Sequence, residues 1–182
     1  MPDKILATLR QANGVIAILI GVVLLACVAF VLADVLLRQI GASLGGTDEI
    51  SGYVMAVATS WGMAYTLSEM GHVRIDLLRS RAGARGRAGF DLVSLAILAS
   101  TVTLIAVKCW PVLERSLVNG SRANTPLETP LALVQLPWFA GWIWFAVSAW
   151  ATLLAAGALV MRGDFAGSDA AIGTFGEAEQ AR

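Results

Sequence analysis

The sequence predicts an all-α protein whose helices form a four-span bundle in a membrane. Hydrophobic residues make up 57% of the 182 residues and charged residues only 14%, and the mean hydropathy is +0.72, well above that of a soluble domain. The apolar residues also form four long stretches without a charged side chain. Each stretch is long enough to cross a bilayer, because a helix of about 20 residues spans the roughly 30 Å hydrocarbon layer.

We predict membrane spans at about residues 14–37, 50–68, 90–112 and 137–161, within one membrane domain over residues 1–162. The third uncharged stretch is the shortest, but the long stem of Lys108 can carry its charge to the headgroups. The first stretch is too long for the apolar part of a signal peptide, so we keep it as a span. Residues 163–182 are small and polar and have no periodicity, which predicts a disordered tail.

The distribution of positive charge predicts the orientation of the chain. With four spans, one side of the membrane collects nine of the thirteen Lys and Arg residues: Lys4, Arg10, Arg74, Arg79, Arg81, Arg85, Arg87, Arg162 and Arg182. The other side collects four: Arg38, Lys108, Arg115 and Arg122. The positive-inside rule then places both termini and the 71–87 loop in the cytoplasm. Because the charges are segregated by loop and sum to zero, nucleic acid is not an expected partner.

Ionisable residues lie at the outer ends of the first two spans. Asp34 and Arg38 are four residues apart, so they can pair on one helix face, either as an interface anchor or as a contact for a partner subunit. Thr47 can cap the second helix, and Asp48 and Glu49 complement the positive end of its dipole. Capping accounts for this acidic pair, and the alternative is a carboxylate pair that holds a partner or screens an ion.

The cytoplasmic loop "GHVRIDLLRSRAGARGR" contains His72, the single histidine of the chain. A haem with two histidine ligands or a zinc site needs further ligands, so we interpret His72 as an interfacial residue that can pair with Glu69 one turn earlier. Asp76 can cap a short amphipathic helix in the interface, where the loop arginines would meet anionic membrane lipid.

The outer segment before the fourth span, "NGSRANTPLETPLALVQLPWFAGW", is rich in proline. Pro126, Pro130 and Pro137 oppose regular structure and favour a stiff, extended connector, which would suit a docking face. Four tryptophans are predicted to form an aromatic belt at the same interface: Trp110, Trp138, Trp142 and Trp144.

Catalysis and independent transport find no support in the sequence. No membrane serine or cysteine has an evident base, no Walker-type phosphate loop is present, and no cofactor is expected. A proton-coupled pump or a small homodimeric exporter needs a carboxylate within a span, whereas Asp34 lies near a span end. An alternative that stays open is a membrane anchor for a redox enzyme, with quinone near the interface.

The order of these features resembles that of the small membrane subunit, called the Q or DctQ-type subunit, of the tripartite ATP-independent periplasmic (TRAP) transporters. The matching parts are "DVLLRQIG" with Arg38, "TDEISGYV" with Asp48 and Glu49, and two further segments. One is "SEMGHVRIDLL", which holds His72, Arg74 and Asp76, and the other is "TPLETPLALVQLPW", which holds Pro126 and Pro130.

This resemblance implies a subunit of the bacterial inner membrane that works with a large multispan permease and a periplasmic substrate-binding protein. Uptake in such systems is driven by an ion gradient, and the large subunit carries the substrate and ion sites. The small subunit would be a non-catalytic scaffold whose outer face helps to receive the binding protein, for uptake of a carboxylate-bearing solute. The motif residues from Arg38 to Pro130 would then lie at partner interfaces.

Overall fold

A computed structural model of the chain describes residues 2–72, 77 and 79–173. Within these residues it contains five α-helices and one short 3-10 turn at Arg79–Arg81. The helices are α1 (Pro2–Gln39), α2 (Thr47–Ser68), α3 (Ala84–Asn119), α4 (Leu131–Met161) and α5 (Phe165–Ile172). The all-α fold class is therefore confirmed, and each of the four predicted stretches lies inside one of the helices α1 to α4.

Three of the described helices are long and apolar enough to cross a membrane: Pro2–Gln39, Ala84–Asn119 and Leu131–Met161. The 22 residues of α2 would also reach across the hydrocarbon layer, at about 1.5 Å per residue. Its composition differs, however, because serine, threonine, glycine and aromatic residues interrupt the aliphatic ones. The four-span count thus stays a prediction for α2, whose polar residues need neighbours inside the bundle.

The first four helices alternate in direction, so the bundle has two distinct ends. Residues 38–49 and 120–130 connect the helices at one end, which we call the distal end. Residues 2–10, 79–91 and 161–173 lie at the opposite end, which we call the terminal end. Side-chain contacts show that α1 and α2 are antiparallel. Asp34 of α1 contacts Thr47 of α2 at the distal end, and Asn13 contacts Ser68 closer to the terminal end.

The core lies between α2, α3, α4 and α5. It is built from small and medium side chains: Ala64, Leu67, Leu95, Ala99, Val102, Phe145, Ala149, Ala156 and Ile172. Small residues dominate because helices in a membrane associate through close backbone packing rather than through a difference in hydrophobicity from their surroundings. On α3 the buried positions recur at intervals of three and four, so one narrow face is buried and the rest stays exposed.

Gly141 of α4 lies directly against α2. A Cβ atom added there would lie 2.3 Å from Ser60 Oγ and 2.8 Å from Trp61 Cδ1, so only glycine fits. Trp61 also donates its indole N–H to the carbonyl oxygen of Pro137 at 2.9 Å. The two helices are therefore fixed against each other both by shape and by a hydrogen bond.

Helix α1 adds no residue to this core. Its buried residues are Pro2, Asn13 and Asp34, and none of the 18 residues of its most apolar stretch is buried. Asn13 is fully buried and donates to Ser68 Oγ at 2.6 Å and to the carbonyl oxygen of Ala64 at 3.1 Å. Its Oδ1 atom accepts the indole N–H of Trp144 at 2.8 Å, so polar contacts attach α1 to both α2 and α4.

Two predictions about the proline- and tryptophan-rich segment were wrong. The extended connector ends earlier than predicted, because α4 begins at Leu131 and includes Pro137. Proline removes only one backbone hydrogen bond there, in the second turn of the helix. Trp144 is also not part of an interfacial belt, because it binds Asn13 within the bundle. Trp110 does pair with an aromatic neighbour, Phe139, with the ring centroids 5.6 Å apart.

The prediction of a disordered tail was wrong for part of its length, because residues 165–172 form α5. Asp164 caps this helix by accepting the backbone N–H of Gly167 at 2.8 Å. Ile172 is 2% exposed and belongs to the core, so burial stabilises a helix that its own composition would not. Residues 174–182 lie outside the described part of the chain.

We predict that Gly141→Ala destabilises the protein, since the added methyl group overpacks the contact with Ser60. Overpacking of this kind costs about 1–3 kcal/mol. Gly157→Ala is the matched control in the same helix, because a Cβ atom there meets nothing within 4 Å. Thermal unfolding in detergent, followed by tryptophan fluorescence, should show a lower Tm for Gly141→Ala alone. Equal Tm values for the two variants would contradict this account of the contact.

Candidate partner-binding surface

Asp34 organises the distal end of the bundle. Its carboxylate is 1% exposed and accepts hydrogen bonds from Thr47 Oγ1 at 3.0 Å, Ser43 Oγ at 3.1 Å and the backbone N–H of Leu44 at 2.7 Å. The last turn of α1, the connection after it and the first residue of α2 therefore share one acceptor. A buried carboxylate is stable only when its lone pairs are used in this way.

Arg38 completes this cluster and reaches the surface. Its Nε atom donates to Asp34 Oδ2 at 2.8 Å, so the predicted pair four residues apart does form. Its Nη2 atom donates to Thr47 Oγ1 at 3.1 Å. The Arg38 side chain is 52% exposed, in contrast to Asp34, so a positively charged group is held in a fixed place at the distal end.

The predicted capping role of Thr47 was wrong. The residue that precedes α2 is Gly46, and no side chain caps the helix there. Thr47 is instead the first helical residue, and its hydroxyl group is used by Asp34 and Arg38. Gly46 has a left-handed backbone (φ 66°) and lies against Leu127, since a Cβ atom would be 2.3 Å from Leu127 Cδ1. Glycine is required here for both reasons.

Glu49 joins α2 to the 120–130 loop. The hydroxyl groups of Thr125, then of Tyr53, and more weakly of Thr129 hold the pKa of the Glu49 carboxyl below its ordinary value of 4.5. The bond from Tyr53 Oη to Glu49 Oε1 is 2.7 Å long. Desolvation acts in the opposite direction but does not prevail. The ionised glutamate thus lies between the loop and the start of α2, with Oε2 buried and without a hydrogen-bond partner among the described residues.

The 120–130 loop folds back on itself. Its two arms are joined by the backbone N–H of Ala123 to the carbonyl oxygen of Thr129 at 2.9 Å and by that of Leu131 to Ser121 at 2.9 Å. Arg122 Nη1 donates to the carbonyl oxygen of Glu128 at 3.2 Å, which closes the turn. Pro126 is exposed between these arms, and the result is a compact, stiff projection.

The structure brings five of the predicted residues to one end of the bundle. Arg38, Glu49, Pro126 and Pro130 lie at the distal end, and Asp48 is exposed beside them. Among residues 2–72, 77 and 79–173, no hydrogen bond or ion pair joins these side chains to one another. We call the surface around them the distal surface.

The remaining predicted residues lie elsewhere. His72 is half-buried, and its ring stacks on Phe145 with the centroids 5.9 Å apart and the planes at 14°. Its ring therefore packs on a core residue, and the pairing with Glu69 stays a prediction. Arg74 and Asp76 lie outside the described residues, so their predicted roles stay predictions.

An ion-pair cluster at the terminal end was not predicted from the sequence. Arg79 Nε and Nη2 donate to the two carboxylate oxygens of Asp91 at 2.8 and 3.0 Å, and Nη2 also pairs with Asp169 of α5. The hydrogen bonds with Asp91 raise the pKa of Arg79. Arg79 is thus turned into the protein, although the loop arginines were predicted to meet lipid. The three residues are 12 and 78 positions apart in sequence, so no local pattern signals their contact.

Helices of this length and composition define a helical membrane protein. A family model described as "Tripartite ATP-independent periplasmic transporters, DctQ component" matches residues 27–159. The chain therefore belongs to the DctQ family, the small membrane subunit of TRAP transporters. It is a transporter component and not an enzyme. No curated protein and no solved structure matches the chain.

We predict that Asp34→Ala lowers the Tm by several degrees, because four donors at the distal end lose their acceptor. Arg38→Ala should have a smaller effect, since its side chain is half exposed and Asp34 retains three donors. Thermal unfolding of both variants in the same detergent measures the difference. If Arg38→Ala lowered the Tm as much as Asp34→Ala, the buried carboxylate of Asp34 would not be the organising group of this cluster.

A second prediction concerns pH. Because the pKa of Glu49 in the folded protein lies below its ordinary value of 4.5, its ionised form stabilises the fold at neutral pH. That contribution is lost as the pH falls below about 4.5 and through the lowered pKa. Glu49→Gln should therefore lower the Tm at neutral pH, and its difference from the wild type should shrink on acidification.

The control is Glu114→Gln, a matched substitution at an exposed glutamate of α3. Its Tm should follow that of the wild type from about pH 7 to about pH 3. If Glu49→Gln and Glu114→Gln gave the same pH profile, the anchoring of the loop by Glu49 would be excluded.

Proposed function

We propose that this TRAP small subunit is a fixed scaffold beside the large permease subunit, in the bacterial inner membrane. The proposal rests on one observation, namely how α1 is exposed and how it is attached to the rest of the chain. Its apolar length is unburied, and yet polar contacts of Asn13 and Asp34 hold it near both ends. A helix held in this way offers a rigid apolar wall to a neighbour in the membrane.

The exposed side of α1 is the surface to which we assign the large subunit. Val22, Leu25 and Leu36 are 59%, 71% and 70% exposed, and they stand on a helix that adds nothing to the core of its own chain. An apolar helix of this kind can face lipid or another helix. The family works as part of a tripartite transporter with a large permease, which supplies such a helix.

The distal surface is the part of the chain to which we assign the periplasmic binding protein. The excess of Lys and Arg on the side of the termini supports cytoplasmic termini, so the distal end would face the periplasm. Exposed Arg38 and the stiff 120–130 loop then offer charge and shape in fixed positions. Fixed groups lose little conformational entropy when a partner binds.

In this proposal α2 is the fourth span. Its hydroxyl groups can lie in the membrane because they bind backbone carbonyl oxygens one turn earlier, as Thr59 does to Met55, Ser60 to Val57 and Thr66 to Gly62. These bonds satisfy the donors without water. Helices α1 and α4 flank α2 and limit its contact with lipid.

The chain would not bind the solute itself. Its charged clusters, around Asp34 at the distal end and around Arg79 at the terminal end, are already used to join its own elements. We therefore propose that the large subunit performs ion-gradient-driven uptake of a carboxylate-bearing solute, and that this subunit positions it.

Photo-crosslinking tests the surface assigned to the large subunit. Benzoylphenylalanine in place of Leu25 on α1 should form a covalent adduct with a co-expressed large subunit. The control is Val107 on α3, which is similarly exposed at 60% and should give little adduct. Equal yields from both positions, or adducts from Val107 alone, would refute the assignment of α1.

Reconstitution tests the scaffold role. The chain alone in proteoliposomes should show no uptake. The complete three-part system should take up its solute when an ion gradient is imposed. Arg38→Ala, or alanine at Pro126 and Pro130, should reduce uptake severalfold while the two membrane subunits still co-purify. Arg115→Ala, at an exposed site on α3, is the control and should be silent. Uptake by the chain alone would disprove the proposal.

A further inference from the structure

An apolar groove lies between α3 and α4 near the terminal end and has an open volume of about 420 Å³. Its lining includes the large side chains Leu92, Val93, Leu154 and Met161 and the small residues Ala96 and Gly157. A Cβ atom added at Gly157 meets nothing within 4 Å, so the small residues leave real space rather than a packed contact. Val93, Leu154 and Met161 are between 60% and 85% exposed, so the groove opens to the outside of the bundle.

Two arginines follow the groove-lining residues toward the terminal end, one on α3 and one at the end of α4. Arg85 belongs to the same helix face as the groove, because positions 85, 89, 92 and 96 of α3 follow spacings of four, three and four. Arg162 directly follows Met161 at the end of α4. Both are exposed, and among the hydrogen bonds and ion pairs of residues 2–72, 77 and 79–173 neither guanidinium group has a partner.

Three acidic residues of α3, α5 and the turn before α5 are already engaged. Asp91 and Asp169 pair with Arg79, and Asp164 caps α5 through the backbone N–H of Gly167. They therefore do not neutralise Arg85 or Arg162 by direct contact. The apolar groove thus has a positively charged end, at the level where the two helices leave their apolar stretches.

We propose that this groove binds one phospholipid with an anionic headgroup. An acyl chain fills the space over Ala96 and Gly157, and the phosphate lies between Arg85 and Arg162. The charge complementarity selects this occupant: a phospholipid combines an apolar chain with an anionic group at the membrane interface, and guanidinium groups bind phosphate through paired hydrogen bonds. The site holds the inner halves of α3 and α4 together from the lipid side.

Native mass spectrometry of the full chain in detergent, with added dioleoylphosphatidylglycerol, tests this site. The wild type should retain one lipid, and should retain zwitterionic dioleoylphosphatidylcholine more weakly. Arg85→Gln with Arg162→Gln should weaken retention of phosphatidylglycerol by about tenfold. Gly157→Leu should also weaken it, because its Cβ atom meets nothing within 4 Å and the larger side chain enters the groove.

The control pair is Lys108→Gln with Arg115→Gln, which removes two exposed charges from α3 outside the groove and should leave retention unchanged. If this control pair lost as much phosphatidylglycerol as Arg85→Gln with Arg162→Gln, the lipid would be held by the overall positive charge, and the proposed site would be overturned. So would retention that is insensitive to Gly157→Leu, or displacement of the lipid by millimolar glycerophosphate, which has no acyl chain. A dimer of the chain that Gly157→Leu abolishes would instead assign the groove to a second copy.

Discussion

The attachment of α1 is the constraint on which the rest of the structure depends. In hydrocarbon an apolar helix gains little from hydrophobicity by packing on another apolar helix, so directional contacts contribute strongly to the position of α1. Asn13 and Asp34 supply these contacts about 32 Å apart along the helix, at roughly 1.5 Å per residue. They fix the tilt and rotation of α1 relative to α2, and thereby the direction in which its apolar side faces. The distal surface follows from the same contacts, because Asp34 orders the connection that carries Arg38 to the exterior.

The second organising feature is the use of small residues around α2. Gly141, Ser60 and Ala64 let α2 and α4 approach closely, and this approach brings Trp61 to the carbonyl oxygen of Pro137. The start of α4 is thus fixed in depth relative to α2. The 120–130 loop, which immediately precedes α4, then lies over the start of α2. There Leu127 packs on Gly46, and Thr125 faces Glu49. Packing in the middle of the bundle therefore helps to determine the geometry of the distal surface.

The long helices could be predicted from the sequence because an uncharged apolar stretch of about 20 residues has few alternatives in a membrane. The pairing of Asp34 with Arg38 could also be predicted, since residues four apart on a helix are neighbours. The further partners of Asp34 could not, because they depend on how the chain turns between Ile40 and Gly46. The structure of α5 depends equally on distant residues, namely the core contact of Ile172 and the ion pair with Arg79. Sequence patterns report local preference, and these features arise from tertiary contact.

The polar composition of α2 has a consequence for biosynthesis. A segment with so many hydroxyl groups gains little when it enters the bilayer alone, whereas α1, which is made first, enters readily. The carboxylate of Asp34 would have to wait near the membrane surface until Ser43, Leu44 and Thr47 emerge from the ribosome and surround it. In the proposed four-span arrangement, helices α1 and α2 would therefore insert together during synthesis, as a hairpin in which α1 holds α2 in the membrane until α4 has been made.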